Sequence, residues 1–189
     1  MKRPALLIID MQNDFVLENS PYRVAGARQV IPQIQAVRDI FRKYNLPVVH
    51  VLRVHRADGS DVEIIRQERF RAHPFGVDGT HGAAVIDDLA PSGNEYILKK
   101  TRMSAFIGTD LDLLLRCLGV TEIYVTGIQT PNCIRTTVFD AIAFNYPVVL
   151  VDDAVGAQSE EIHRSNVRDM QNIGVRIARA AEVPGLLDQ

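Results

Sequence analysis

Short β-branched apolar runs recur along this chain, and stretches of helical period lie between them. ALLII (5–9), PVVHVL (47–52), EYILK (95–99), EIYVTG (122–127), PVVLVD (147–152) and VRIA (175–178) all have strand length. Most are apolar throughout rather than alternating, as strands are when both faces of a parallel sheet are covered. Between them, residues 27–44 carry Val30, Ile34, Val37 and Phe41 at helical spacing, and 110–118, 132–144 and 159–172 follow the same period. The alternation predicts an α/β fold of three layers. It is doubly wound, a mainly parallel six-stranded sheet with helices on both faces and right-handed crossovers. A length of 189 residues suits a single domain over 1–189. One irregular stretch, 53–94, is rich in charge, Gly and His, with a short helix expected around 61–71. Long irregular segments in compact domains tend to carry function, so this stretch is read as a substrate lid.

A formal net charge of −2 gives no reason to expect a nucleic-acid or anionic-membrane partner. No apolar stretch approaches the ~20 residues of a membrane span. The start, MKRPALLIIDMQND, has a basic residue pair and an apolar run, but Asp10 ends the run without a cleavage pattern, so no signal peptide is expected. Two cysteines do not make a disulfide framework, and a cytoplasmic setting is expected.

In open parallel sheets, ligands bind beyond the carboxyl ends of the strands. Asp10 ends the first run, Lys99 and Lys100 end EYILKK, and Cys133 follows the fourth run in VTGIQTPNCIRTT. Thr130 is the expected N-cap and Pro131 the expected first helical residue, which places the sulfur near a positive helix end where thiolate is favoured. Each residue also has a plainer reading. Asp10 can serve as a helix cap, Lys100 as a solvated strand-end charge, and Cys133 as buried packing, the role expected of Cys117 in DLDLLLRCLGV. Their shared edge favours a Cys–Asp–Lys site in which a sulfur attacks a carbonyl-like carbon.

Three motifs, LLIIDMQNDF, KTRMSAFIGTDL and VTGIQTPNCIRTTVFDA, stand in the order found in the isochorismatase-like cysteine hydrolase superfamily, which the chain resembles from Ala5 to about Ile177. That group includes nicotinamidases, N-carbamoylsarcosine amidohydrolase and isochorismatase. The resemblance implies a catalytic triad of Asp10, Lys100 and Cys133. It selects Lys100 over Lys99, because Lys100-Thr101-Arg102-Met103-Ser104-Ala105-Phe106 fits the family's Lys-x-Arg-x-Ser-Ala-Phe pattern. It also implies a cis peptide at Ile128–Gln129, and an oxyanion hole from the backbone N–H groups of Gln129 and Cys133. The implied activity is cysteine-dependent hydrolysis of a small amide, carbamoyl or ureido compound through a thioester. Homo-oligomers are common in the group, and no cofactor is expected.

Metal-dependent nicotinamidases carry Asp-x-His after the second strand, whereas this chain has Arg53-Val54-His55, and a guanidinium does not ligate a metal. No metal site is therefore expected, although His55, His73 and His81 remain in the irregular segment. Arg53 either clamps a substrate carboxylate or pairs with Asp58, Asp61 or Glu63. Gln12, Phe15 and His55 are the other candidate substrate contacts, with Phe15 equally suited to core packing. Arg69 and Arg71 either reach the substrate or face solvent. Asp14 is expected as a turn cap, His50 as a satisfied core histidine, and His163 as a structural or surface residue. Isochorismatase-type vinyl ether hydrolysis is the alternative within the group, disfavoured by the presence of Cys133. A dinucleotide-binding oxidoreductase would need a Gly-rich turn where Asp10-Met11-Gln12-Asn13-Asp14 stands. A non-catalytic binding protein on the same scaffold is the remaining rival.

Overall fold

The alternation of runs folds as six parallel strands. In the computed structural model, which describes residues 3–189, they are β1 (Pro4–Ile9), β2 (Val48–Arg53), β3 (Tyr96–Lys100), β4 (Glu122–Ile128), β5 (Val148–Gly156) and β6 (Arg176–Ala178). Their order across the sheet is β3-β2-β1-β4-β5-β6, all pairs parallel. The described residues also form seven α-helices, α1 (Asn13–Val16), α2 (Ile31–Lys43), α3 (Gln67–Ala72), α4 (Leu111–Cys117), α5 (Arg135–Ala143) and α6 (Glu160–Asn172) between strands and α7 (Val183–Leu187) after the last.

Strand alternation splits the core in two. Ala5, Leu7 and Ile9 of β1 join Leu111 and Leu115 of α4, Val138 and Ala141 of α5 and Met170 of α6. Leu6 and Ile8 face the other way, onto Ile34, Val37 and Phe41 of α2 and Val183 of α7. β1 is buried at every position, which is why its sequence shows no polar alternation. No helix among the described residues is long and apolar enough to cross a membrane.

The structure departs from the sequence expectations at element ends. The expected 27–44 helix opens with a 3-10 turn, Arg28–Val30, and becomes α-helical at Ile31 with Pro32 in its first turn. β5 runs on to Gly156, past a register shift against β4 between Val125 and Gly127. α1 and α7 were not expected, being too short to show a period. Cys117 lies exposed at the end of α4 and is not core packing. The 53–94 stretch holds a 3-10 turn, Ile64–Arg66, leading into α3, and its own small apolar cluster of Val62, Phe70 and Phe75 with Tyr22.

His50 is fully buried in β2, with its Nε2 3.0 Å from Glu95 Oε2. Burial pushes its pKa down from the ordinary 6.5, against the pull of Glu95. Burial also opposes the charge of Glu95, but Arg42, the Ser92 N–H and His50 outweigh it and draw the carboxyl from 4.5 down to about 2. Arg42 donates to both Glu95 oxygens, at 2.7 and 3.0 Å. Both groups bind fewer protons folded than unfolded, so both contributions are present at neutral pH and lost on acidification. The urea midpoint is expected to fall first below pH 6.5, through His50, and again between 4.5 and about 2, through Glu95. Glu95→Gln should flatten the second fall; an unchanged profile would contradict the assignment.

Candidate functional site

Chain winding reverses between β1 and β4, and a crevice at such a switch point is the expected ligand position. Asp10 follows β1 directly. Its backbone turns into the left-handed region at φ 55°, a conformation that Asp tolerates better than most residues, while its N–H still donates to Val51 O at 2.8 Å. The side chain is buried, and Oδ2 accepts from Lys100 Nζ at 3.0 Å. Oδ1 is equally buried and has no hydrogen-bond partner among the described residues.

Lys100 lies on β3, two strands from β1, a separation of about 9.6 Å at ordinary strand spacing. A long side chain is needed to bring a charge across the end of β2. Its Nζ also donates to Arg102 O at 3.1 Å. Lys99 points to the opposite face and pairs with Asp78 at the surface, at 2.7 Å. Period-two alternation is thus the physical reason that one lysine of the pair reaches Asp10 and the other does not.

Cys133 follows β4. The Ile128–Gln129 peptide is cis, and Thr130–Ile134 forms one π-helical turn that runs into α5. The N–H of Gln129 donates to no group among the described residues. Thr130 is not the N-cap. Its hydroxyl donates to Gly156 O at 3.1 Å, and its oxygen lies 3.1 Å from His163 Nδ1 on α6. The other ring nitrogen of His163 meets Asp152 Oδ1, midway along β5, at 3.0 Å, so His163 ties the turn to that strand. Cys133 is 6% exposed. Burial pushes its thiol pKa up, and the charge of Asp10 adds to this, against opposition from Lys100 and Arg53. The expected preference for thiolate is therefore not met: burial and the Asp10 carboxylate outweigh Lys100 and Arg53.

A cavity of about 300 Å³ opens onto Asp10, Cys133, Gln129 and Asn132, and Phe15, Tyr22, Phe75, Arg53, Arg66 and Arg69 also line it. Lys100 sits behind Asp10, sealed from solvent. Of the candidate substrate contacts, Phe15 and Arg53 reach the cavity, and Gln12 and His55 do not. Gln12 is fully buried and spends both ends of its amide on backbone. Its Nε2 donates to Arg53 O and Ala83 O at 2.9 and 2.8 Å, and its Oε1 accepts from Arg53 N at 2.8 Å. His55 packs edge-on against Phe70 and Phe75, 5.9 and 5.4 Å between ring centroids. Burial, then the charge of Arg53, pushes its pKa down. Arg53 takes the ion-pair alternative: Nη2 and Nη1 donate to Glu63 Oε1 at 2.8 and 3.0 Å.

Arg69 lines the cavity, its guanidinium stacked over Tyr22 at 4.5 Å, whereas Arg71 is exposed and reaches Gln67. Asp14 is not a turn cap; its Oδ2 accepts from Gly76 N at 2.7 Å and anchors the irregular segment. His55, His73 and His81 do not gather, and no group of three or more His, Cys, Asp or Glu side chains among the described residues is placed to hold a metal. Sequence reasoning missed Tyr22, Arg66, Phe75 and Asn132. The aromatics left one faint signal, four rings (Phe15, Tyr22, Phe70, Phe75) in polar, irregular surroundings; Arg66 and Asn132 left none.

Comparison with known proteins identifies the family. The family model described as Isochorismatase domain matches residues 4–182. The chain is 42% identical over 179 residues to a "Probable inactive nicotinamidase" of Arabidopsis thaliana, covering 93% of this chain and 91% of the relative. It is 28% identical to an N-carbamoylsarcosine amidase of Arthrobacter sp, covering 90% of this chain and 66% of that one. A crystal structure of an isochorismatase family protein from Desulfovibrio vulgaris superposes with a TM-score of 0.96 at 43% identity, covering 100% of both chains.

Proposed function

Because the chain belongs to the isochorismatase-like hydrolase family, we propose that it is a cysteine-dependent hydrolase of a small amide, carbamoyl or ureido compound. The observation that carries this reading is the unpartnered Oδ1 of Asp10: one carboxylate oxygen is held by Lys100, and the other is buried, free and beside the cavity that Cys133 lines. A buried acceptor without a donor is costly unless something with a proton arrives there. The Cys133 thiol, kept protonated by burial, supplies that proton.

The reaction then runs in two halves. Asp10 takes the thiol proton as the sulfur attacks the substrate carbonyl, and Lys100 offsets the charge. The backbone N–H groups of Gln129 and Cys133 hold the oxyanion. The C–N bond breaks, Asp10 returns the proton to the leaving nitrogen, and a thioester remains. Water loses a proton to Asp10 and attacks the thioester. The acid leaves, and the sulfur recovers its proton from Asp10.

The Arabidopsis relative's name gives a second reading its footing, a non-catalytic protein on the same scaffold. Isochorismatase-type vinyl ether hydrolysis and nicotinamide hydrolysis are the remaining alternatives. A screen for ammonia release over small amides, carbamoyl compounds, ureides and nicotinamide, with isochorismate followed separately by release of the keto acid from its vinyl ether, separates them. The expected result is release from an open-chain amide or ureide, with an acyl adduct on Cys133 seen by mass spectrometry after rapid quenching. No ammonia and no adduct from any compound would sink the hydrolase reading.

A further inference from the structure

We infer that the substrate of this site is a small anion whose carboxylate is held by Arg66 and Arg69, and not by Arg53; this deepens the cysteine-hydrolase reading and rests on it. The first support is charge balance. Asp10 is matched by Lys100 at 3.0 Å, and Arg53 by Glu63 at 2.8 Å. Arg66 and Arg69 line the same cavity, and neither forms an ion pair among the described residues. Two positive charges are thus left unmatched at the cavity of a protein whose formal net charge is −2. An anion entering the cavity supplies what the fold withholds.

The second support is placement. Arg66 precedes α3 and Arg69 lies within it, three residues apart, so the two project from one side of the helix. Arg69 is held by its stack on Tyr22, whose hydroxyl donates back to Arg69 O at 3.0 Å. That leaves the guanidinium edges free for the planar, two-pronged contact a carboxylate makes. Arg66 is half-buried; burial, then neighbouring Arg53, works against its charge, while the Glu63 carboxylate, already paired with Arg53, and after it a thiolate at Cys133 favour it. The sulfur and this guanidinium are therefore within electrostatic reach of each other. A cavity of about 300 Å³ is at the small end for ligand sites, so the anion is compact: a short-chain acid bearing a terminal amide, carbamoyl or ureido group.

A test that needs no turnover compares alkylation of Cys133 by anionic iodoacetate and neutral iodoacetamide in the full chain. Exposed Cys117 reports the ratio of a free thiol in the same sample. Cys133 is expected to favour iodoacetate relative to Cys117. Arg66→Gln and Arg69→Gln should each lower that preference roughly tenfold, the scale of one charge-assisted hydrogen bond, and the Lys variants should restore part of it. Arg71→Gln, outside the cavity, should leave it unmoved. Equal ratios at Cys133 and Cys117, or ratios indifferent to all four cavity variants, would overturn the inference. Ammonia release from succinamate and from its neutral counterpart butyramide separates the two readings. Equal turnover of both would overturn the anion assignment and leave the hydrolase standing. A preference for iodoacetate without ammonia from any amide would do the reverse.

Discussion

Cys133→Ala is expected to lose amide hydrolysis by a factor on the order of 10⁴ or more, with the fold retained. The scale follows from the geometry. Asp10 and Lys100 form a buried pair whose free oxygen has one thiol to act upon, and no second nucleophile lines the cavity: Phe15, Tyr22, Asn132 and the arginines offer donors and surface, while Tyr22 commits its hydroxyl to the Arg69 and His73 carbonyls. The loss should appear in kcat. Stability should fall by only about 1 kcal/mol, because one sulfur leaves a small gap. Ammonia-release kinetics and a thermal melt on the same preparation check both halves. Turnover by the alanine variant at the wild-type rate would end the covalent mechanism.

The second large effect is structural. Gly127 pairs with Ile9 in the β1–β4 register, at φ 107°. A Cβ there would stand 2.1 Å from Ile9 O and 2.6 Å from Ile9 N, both backbone atoms that no rotamer change can move. Gly127→Ala is therefore expected to cost about 4 kcal/mol or more, a large part of the stability of an ordinary domain. It should also part Asp10 from Cys133, since each follows closely on one of the two residues in collision. Gly79→Ala is the control. It too has positive φ, at 77°, but nothing lies within 4 Å, so its loss should be confined to backbone strain of about 1 kcal/mol. Urea midpoints of the two variants measure the difference. A Gly127→Ala midpoint within reach of the Gly79→Ala value would show that the strands can separate without cost.

Much of the fold was legible because its signals are local. Continuous apolar runs declare strands covered on both faces, and the spacing of Ile34, Val37 and Phe41 declares a helix face. The edge on which Asp10, Lys100 and Cys133 lie follows from the parallel order alone. Thr130 was misread because its hydroxyl answers to Gly156 and His163, which lie 26 and 33 residues away. Gln12 and His55 sit in the right neighbourhood, but what a side chain faces depends on partners outside its own segment. Arg53 shows the same limit: the sequence offers three acidic partners, and the folded loop takes Glu63.

The sequence by itself determined the α/β class and the strand edge where chemistry gathers, while the choice between two adjacent lysines came from the motif that Lys100 opens. Tertiary structure alone decided the burial of the sulfur, the partner of Arg53 and the two arginines that form no ion pair among the described residues. The reason is range. Hydrophobic period and strand alternation are written in neighbours along the chain, whereas desolvation and charge pairing are set by whatever the fold brings within a few ångströms, and the residues at this cavity come from four strand ends and a loop.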